Sequence, residues 1–437
     1  MTIAPQDEVV RLCQDLIRFD TSNYGEGRGA EADAAAYVVA SLREVGLQPT
    51  VYESAPQRHT VVVRIPGADP TRGGLCVHGH LDVVPADASE WQVDPFSGQI
   101  RDGCIWGRGA VDMKGMDAMM LAVVRHLART GQVPPRDLLI VFFADEEAAG
   151  SYGSKWLVEN HPEVFDGISE AISEVGGYSV TLPRPLGDPQ RVYLLQTAEK
   201  GIAWLRITAH GPAGHGSLPA SETAITRLAS AVTRIAEHTW PTHLIPSVEA
   251  LLQGAGRLMQ APTGPDAASP VLAGLGGAGA FVRASMQNTA NVTTLTAGYK
   301  HNVIPGSASA LVDCRFLPGH EEELMDTLGQ LVGPDIDVEV LVSDVALQAP
   351  VEGALVDAMT AALTQEDPSA HVLPYCLSGG TDNKALSRLG ITGYGFAPLQ
   401  LPADLDFAGM FHGVDERVPV ESLHFGTRVL LRFLRAC

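Results

Sequence analysis

The segment Val77-His78-Gly79-His80-Leu81-Asp82 places a histidine and an aspartate two positions apart at the end of an apolar run. Alternate residues of a β-strand point to the same face, so His80 and Asp82 would lie side by side on a strand. His80 could then ligate a metal through one ring nitrogen while Asp82 holds the other ring nitrogen. Such a triplet also occurs without any metal, so the choice between the two interpretations depends on the rest of the chain.

Carboxylates and a second histidine follow in four further segments. They are Asp112 in a glycine-flanked turn, Asp145-Glu146-Glu147 after the apolar run Leu138–Ala144, Glu174 after Ala171–Ser173, and His412 far downstream. Adjacent carboxylates at the end of an apolar strand repel one another unless a cation is near. Two histidines with several carboxylates suit zinc or a similar divalent ion. Open α/β sheets place their sites at the carboxyl ends of strands. The sequence therefore predicts a divalent metal centre at that edge of a mainly parallel sheet.

These five motifs extend over nearly the whole chain, and together they resemble the dinuclear-zinc aminoacylase, carboxypeptidase and desuccinylase family of metallohydrolases. Ser173-Glu174-Val175-Gly176 is more similar to aminoacylases and carboxypeptidase S-like members than to desuccinylases, which tend to have Gly-Glu-Pro there. The resemblance implies a zinc-exopeptidase-like α/β catalytic domain with an inserted α+β lid. It also implies hydrolysis of an amide bond in an N-acyl amino acid or a dipeptide. Two divalent ions would serve as cofactors, Zn²⁺ being favoured over Co²⁺ or Mn²⁺.

The resemblance assigns a role to each motif. The metal ligands would be His80 and Glu174 for one ion, Glu147 and His412 for the other, and Asp112 as the bridge between them. A cis peptide bond would join Asp112 to Met113. Glu146 would be the general base that takes a proton from the attacking water, and Asp82 would orient His80. Asp145 is expected behind the ligands or at the surface.

The lid carries further candidates. His215 lies in a glycine-rich loop, where a lone histidine is ordinarily a surface residue, but it resembles the family's oxyanion-stabilising lid histidine. In dimeric members that histidine acts across the subunit interface, so a homodimer formed through the lid is implied. Asn302 and Arg315 resemble substrate-binding residues. The planar fork of Arg315 suits a substrate carboxylate, although a structural salt bridge with Asp313 is the alternative.

A late glycine-rich loop, Ser378–Lys384, resembles a Gly-Gly-Thr-Asp segment of the same family. It supplies Gly380 and Lys384 as substrate-binding candidates. Many relatives carry arginine where this chain has Lys384, and lysine is a point charge rather than a fork. Carboxylate binding at this position is therefore either absent or shared with Arg315.

Length and periodicity predict two domains. The 437 residues exceed what one compact core accommodates, and strands alternate with helices until the pattern changes near residue 200. We expect a catalytic domain formed by residues 1–199 and 346–437 and an inserted lid formed by residues 200–345. Within the lid, a Leu-, Ala-, Gly- and Pro-rich insertion extends roughly from His238 to Gln287. It is either extra lid core or a dimer contact, or an apolar wall for a fatty or aromatic acyl group.

Charge and cysteine usage restrict the partners and the compartment. The formal net charge of −21 argues against binding to nucleic acid or anionic membranes. Six scattered cysteines without a C-x-x-C pair indicate reduced thiols, as in a cytoplasm. Residues 1–8 lack the features of a signal peptide, and no apolar run reaches the roughly 18–20 residues of a membrane span.

A non-catalytic metal-dependent binding protein is the less favoured alternative, because Glu146 accompanies all five candidate ligands.

Overall fold

The computed structural model describes residues 3–25, 27–184, 187–261 and 268–437. Residues 1–2 of the N-terminal segment and residues 262–267 of the predicted insertion lie outside these ranges. The helices are α1 (Pro5–Ile17), α2 (Ala32–Arg43), α3 (Lys114–Thr130), α4 (Ser154–Asn160), α5 (Ala224–Glu237), α6 (Pro246–Met259), α7 (Ala268–Gly274), α8 (Gly277–Ala284), α9 (Glu321–Val332), α10 (Ala354–Glu366), α11 (Asn383–Ser387) and α12 (Val420–Ala436).

The strands belong to one large sheet, one four-stranded sheet and two small ones. They are β1 (Thr50–Ala55), β2 (Arg58–Ile65), β3 (Gly74–His80), β4 (Ile100–Arg101), β5 (Cys104–Trp106), β6 (Leu138–Phe143), β7 (Ile168–Ser173), β8 (Tyr178–Leu182), β9 (Gln190–Glu199), β10 (Gly201–His210), β11 (Gly214–His215), β12 (Thr289–Ala297), β13 (Val303–Ile304), β14 (Ser307–Phe316), β15 (Ile336–Asp344), β16 (Leu347–Gln348), β17 (His371–Leu377), β18 (Thr392–Gly395) and β19 (Arg417–Pro419).

The large sheet has the order β1-β2-β6-β3-β7-β18-β9-β16, with β8 and β17 also paired to β9. Its centre, β6-β3-β7-β18, is parallel. Every residue of β3 and β6 is buried, as expected for strands covered on both faces. Helices α1, α3 and α12 pack together over one face, whereas α4 and α11 contribute to the core on the other. The expected α/β fold with a largely parallel central sheet is confirmed.

The second sheet is antiparallel throughout, with the order β12-β14-β10-β15. Its strand β10 alternates strictly, because Leu205 and Ile207 are fully buried whereas Trp204 and Arg206 are exposed. Helices α5 and α9 cover the apolar face and complete a separate core. The opposite face of this sheet therefore remains accessible.

The predicted insertion packs in an unexpected place. Helix α6 lies against β17, β8 and β9 of the large sheet, and its residues Val248 and Leu251 are fully buried in the main core. Among the described buried apolar residues of that segment, only Trp240 joins the core of the second sheet. Periodicity showed that such a helix has an apolar face but could not show which sheet that face covers. The two-domain division of the chain stays a prediction.

Two buried lysines hold the connections between the sheets. The Lys200 ammonium donates to the carbonyls of Ala284 and Gln287 at 3.0 and 2.8 Å. The Lys384 ammonium donates to the carbonyls of Lys200 and Val345 at 2.7 and 2.6 Å. Burial lowers the pKa of Lys200 to about 8.

Within the described residues, no helix is both long and apolar enough to cross a membrane.

Candidate metal centre

The predicted ligands converge because neighbouring parallel strands end at the same edge of the large sheet. His80 is the last residue of β3, Glu174 follows β7, and Glu146 and Glu147 follow β6 in a short 3₁₀ turn. Glu146, Glu147 and Glu174 line a cavity of about 540 Å³ between this edge and the second sheet, and His80 lies behind them. The topology thus assembles, from strands adjacent in space, residues that are far apart in sequence.

Asp112 lies on a loop whose conformation is stabilised by a buried glutamate. The Glu416 carboxylate accepts the backbone N–H groups of Gly109, Val111 and Asp112 at 3.1, 2.6 and 3.0 Å. The Arg108 guanidinium also donates to it at 2.9 Å. The peptide bond between Asp112 and Met113 is cis, as expected. Glu416 therefore orders the loop that presents Asp112, a role that the sequence did not reveal.

The two carboxylate oxygens of Asp112 face different partners. Its Oδ1 lies 3.2 Å from Nε2 of His80, and Glu174 Oε2 lies 3.7 Å from the same nitrogen. Its Oδ2 lies 3.3 Å from Nε2 of His412, and Glu147 Oε2 lies 3.2 Å from that nitrogen. The five predicted ligands therefore form two three-membered clusters that share Asp112.

The chemistry of these side chains fits a pair of divalent cations. Burial raises the pKa of Glu174 to about 8, and burial followed by the nearby Asp112 charge raises the pKa of Glu147. Oε1 of Glu147 is buried and has no hydrogen-bond partner among the described residues. Imidazole and carboxylate donors without a thiolate suit Zn²⁺, Co²⁺ or Mn²⁺. Cations there would offset the crowding of carboxylates and satisfy that oxygen.

Asp82 connects one candidate ligand to the turn that carries the others. Its Oδ1 lies 3.4 Å from Nδ1 of His80, and its backbone carbonyl accepts from the same nitrogen at 2.9 Å. The backbone N–H groups of Glu146 and Glu147 donate to its two carboxylate oxygens, both at 3.1 Å. Asp82 thus fixes the tautomer of His80 through its carbonyl and the path of the following turn through its carboxylate.

A second layer lies behind Asp82 and includes residues that the sequence did not single out. Asn23 donates to both Asp82 and Asp145, at 2.8 and 2.9 Å. Arg58 is fully buried and pairs with Asp145 at 3.0 Å and with Glu31. Asp145 is therefore bound to an arginine behind the ligands, as the sequence analysis expected.

Glu146 differs from the neighbouring Glu147 in its surroundings. Its carboxylate faces the cavity and lies 3.9 Å from Nε2 of His80. Burial, and after it the Glu174 charge, raise the pKa of Glu146 well above its usual range. Glu146 belongs to neither ligand cluster. It is a carboxylate beside the clusters that remains available for proton transfer.

Three of the five predicted lid and loop residues line the cavity, namely Arg315, Gly380 and Lys384. Arg315 donates to Asp313 through Nε at 2.7 Å and Nη2 at 3.1 Å, which is the salt bridge considered as its alternative role. The Lys384 ammonium is engaged by two backbone carbonyls and lies 3.6 Å from Glu199. These contacts leave Arg315 as the better candidate for a substrate carboxylate, and both assignments stay predictions.

His215 and Asn302 lie together, but neither lines the cavity. The strand β11 that ends at His215 pairs with β13, and the Gly216 N–H donates to the Asn302 carbonyl at 2.9 Å. His215 is exposed, and its Nδ1 accepts the backbone N–H of Ser217 at 3.2 Å. In a neutral ring Nε2 then carries the proton, so His215 presents a donor to the outside of this chain.

Apolar side chains line part of the same cavity. Ile202, Trp204 and Val342 lie on the accessible face of the second sheet, which also presents Arg315 and Asp344, and Tyr375 and Leu377 belong to β17. None of the described residues of the insertion 238–287 lines this cavity, although Leu275 lines a neighbouring cavity that shares Tyr178 with it. The interpretation of the insertion as an acyl-binding wall stays a prediction. An alternating strand signals one exposed face but not what that face meets.

Comparisons with known proteins agree with this geometry. The sequence profile of "Peptidase family M20/M25/M40" matches residues 76–436. The chain is 28% identical to the N-fatty-acyl-amino acid synthase/hydrolase PM20D1 of Xenopus tropicalis, over 98% of this chain and 85% of that protein. It is 26% identical to human aminoacylase-1, over 99% of this chain and 96% of that protein.

A solved structure shares the fold. The M20 family metallo-carboxypeptidase Sso-CP2 from Sulfolobus solfataricus superposes with a TM-score of 0.75 at 18% identity, covering 98% of this chain and 99% of that one. At this identity the likeness concerns the fold alone. The family profile, in contrast, covers most of the chain and includes every predicted metal ligand. The chain belongs to the M20/M25/M40 peptidase family.

Proposed function

We propose that this metallohydrolase cleaves the amide bond of an N-acyl amino acid with an apolar acyl group, as a dizinc amidohydrolase. The observation that carries the proposal is the pair of clusters sharing Asp112, with Glu146 beside them, in a cavity that apolar side chains of the second sheet also line. A carboxylate-rich side suits the hydrolytic chemistry. The wall formed by Ile202, Trp204 and Val342 suits an acyl chain or ring.

The two ions would be held by His80 and Glu174, by Glu147 and His412, and by Asp112 between them. When bound, such a pair of cations lowers the pKa of water and polarises a carbonyl oxygen. Glu146 takes the proton of the attacking water and later delivers it to the leaving nitrogen. Asp82 keeps His80 in one tautomer during these steps, because its carboxylate and carbonyl both face Nδ1 of that ring.

Dipeptide or carboxypeptidase activity is the second candidate. A dipeptide carries an ammonium group where an N-acyl amino acid carries its acyl chain. The presence of Trp204 and Val342 on the wall favours the apolar group there, because burying an unpaired ammonium against apolar side chains is unfavourable. Both substrate classes retain a carboxylate that Arg315 could bind. The acyl group therefore separates the two candidates.

A substrate screen tests the proposal. N-acyl amino acids with short, long and aromatic acyl groups would be compared with dipeptides of the same C-terminal residue, using tag-free protein whose metal content is measured. We expect kcat/KM to increase with the apolar area of the acyl group. Preference for dipeptides would support the second candidate. Metal-loaded protein that hydrolyses neither class would instead support a non-catalytic binding protein.

The cytoplasm is proposed as the compartment. The six cysteines are free, and five of them are buried. Free thiols of this kind fit a reducing environment.

We expect Arg315→Lys to raise KM for substrates with a free α-carboxylate and to change little for the corresponding amides. Nη1 of Arg315 has no hydrogen-bond partner among the described residues, whereas Nε and Nη2 are engaged by Asp313. The rise should be about tenfold or more, since hydrogen bonds to charged groups contribute about 1.5–3 kcal/mol. Steady-state kinetics on both substrate series measure it. Equal losses on acid and amide would mean that Arg315 is structural.

We also propose that the protein acts as a homodimer in which His215 reaches the site of the partner. His215 is exposed, donates from Nε2 and does not line the cavity of its own chain. His215→Ala should therefore lower kcat by about 10²–10³ with little change in metal content, the loss expected for one oxyanion donor. Wild-type turnover of this variant would contradict the oxyanion role.

Mixing variants separates action in trans from action within one chain. In a mixed dimer of His215→Ala and Glu146→Gln subunits, one site would have an intact base and an intact histidine. Activity should therefore reappear on mixing. An inactive mixture, after mass spectrometry has verified subunit exchange, would eliminate action in trans.

A further inference from the structure

We infer that His243, His320 and Glu323 form a third cation site, outside the catalytic cavity, which takes a Zn²⁺-like ion. The donor atoms of these three side chains all lie within 4.8 Å of one another. None of the three lines the catalytic cavity. The site is built from residues that the proposed mechanism does not use.

Both imidazole rings direct a nitrogen at the same carboxylate. Nε2 of His243 lies 3.0 and 2.9 Å from the two oxygens of Glu323, and Nδ1 of His320 lies 2.8 Å from one of them. The rings themselves stack, with centroids 3.8 Å apart and planes inclined by 23°. Two aromatic nitrogens and a carboxylate thus meet at one point, although they come from segments that are about 80 residues apart.

The geometry is within reach of metal coordination. Bonds of about 2.0–2.2 Å from imidazole nitrogen and carboxylate oxygen to a tetrahedral ion require donor atoms roughly 3.3 Å apart. The three side chains are 26%, 28% and 33% exposed, for His243, His320 and Glu323 respectively. Small side-chain rotations can therefore spread the stacked rings around an ion that enters from solvent.

The donor set selects the class of ion. Imidazole nitrogens favour Zn²⁺, Cu²⁺ and Ni²⁺, whereas Ca²⁺ and Mg²⁺ prefer sites made only of oxygen ligands. Three protein ligands leave a fourth position for water. The cluster therefore offers two imidazole nitrogens and one carboxylate.

The three proposed ligands come from two separate segments, the connection between α5 and α6 and the start of α9. His243 belongs to the connection between α5 and α6, and its backbone N–H donates to the Met286 carbonyl at 2.8 Å. His320 and Glu323 begin α9, and the His320 carbonyl accepts from the Asn288 side chain at 3.0 Å. An ion bound here would cross-link the α5–α6 connection to the start of α9. Its expected effect is to stabilise the lid rather than to take part in hydrolysis.

Metal stoichiometry with matched variants tests this inference. Tag-free wild-type protein, Glu323→Gln and Glu322→Gln would be dialysed against buffered free Zn²⁺ and analysed for bound metal. Both acids lie in the first turn of α9, but only Glu323 belongs to the cluster. We expect Glu323→Gln to bind one equivalent fewer than wild type, and Glu322→Gln to bind the wild-type amount. Because the readout is a difference, it does not depend on how many ions the catalytic centre holds.

A second pair of variants tests whether a loss of metal in Glu323→Gln could result from misfolding at the start of α9. His243→Gln removes a donor without altering that helix. His210→Gln is its control, because His210 of β10 contacts Asp337 and does not belong to the cluster. We expect His243→Gln to lose the same equivalent and to show a smaller Zn²⁺-induced rise in Tm than wild type, with both quantities unchanged in His210→Gln. Equal metal content in wild type, Glu323→Gln and His243→Gln would overturn the inference and leave a hydrogen-bonded cluster only.

Discussion

Glu146→Gln should retain both metal ions and lose about 10²–10⁴ of the hydrolytic rate, the range assigned to general acid–base catalysis. Glutamine has nearly the same shape as glutamate but can neither accept nor return a proton at neutral pH. The carboxylate of Glu146 faces the cavity and belongs to neither ligand cluster. Its backbone N–H, which donates to Asp82, is unaffected by the substitution. The loss should therefore fall on kcat, with KM and metal content close to those of wild type.

The adjacent residue provides the contrast for this experiment. Glu147→Gln removes charge from a residue whose Oε2 faces His412 at 3.2 Å, so it should lower metal content as well as rate. Measuring metal content and single-turnover rates on both variants separates a base from a ligand. Unchanged turnover in metal-replete Glu146→Gln would refute the assignment of the base.

The convergence of the candidate metal ligands could be predicted, because it depends only on where each ligand lies relative to the end of a strand. His80 ends β3, Glu174 follows β7, and Glu147 lies in the short turn after β6. Neighbouring parallel strands place these positions at one edge. Which carboxylate ligates and which stays free required the resemblance to a family. The separation of Glu146 from Glu147 depends on the tight turn after β6, where Asp145 and Ala149 adopt left-handed backbone conformations.

The supporting layer could not be predicted, because nothing near these residues in sequence points to their partners. Arg58 lies in a strand otherwise rich in β-branched residues, yet it is fully buried between Glu31 and Asp145. Glu416 looks like an ordinary acid near His412, but it accepts three backbone N–H groups from the loop of Asp112. Both roles arise from long-range packing, which periodicity does not encode.

The apolar side chains of the cavity also depend on long-range packing that the sequence pattern does not encode. Strand β10 alternates between buried and exposed residues. Such alternation indicates an exposed face, but it does not indicate that this face, with Trp204, meets the cavity. The leucine-rich composition of the insertion indicated a possible acyl-binding wall. Helix α6 of that insertion instead buries its apolar face in the main core. Hydrophobic residues identify buried faces, but the tertiary arrangement decides which of them reach a substrate.

Asp112→Ala should abolish binding of at least one metal ion and with it most of the activity. Oδ1 of Asp112 faces His80 at 3.2 Å and Oδ2 faces His412 at 3.3 Å, so both clusters lose a donor at once. The carboxylates of Glu147 and Glu174 would then stand without the shared partner that each cluster needs. Equilibrium dialysis followed by metal analysis gives the number of ions retained, and the hydrolysis assay gives the accompanying loss of rate.

Asp102→Ala is the matched control, because Asp102 is an aspartate of the preceding turn whose side chain is 80% exposed. It should bind as much metal as wild type. Wild-type metal content in folded Asp112→Ala would contradict the bridging role. Loss of a single equivalent would identify Asp112 as essential to one cluster and replaceable in the other, and Glu147→Gln or Glu174→Gln combined with Asp112→Ala would reveal which. Since Glu416 orders the loop through backbone groups that the substitution leaves in place, the effect can be attributed to the carboxylate itself.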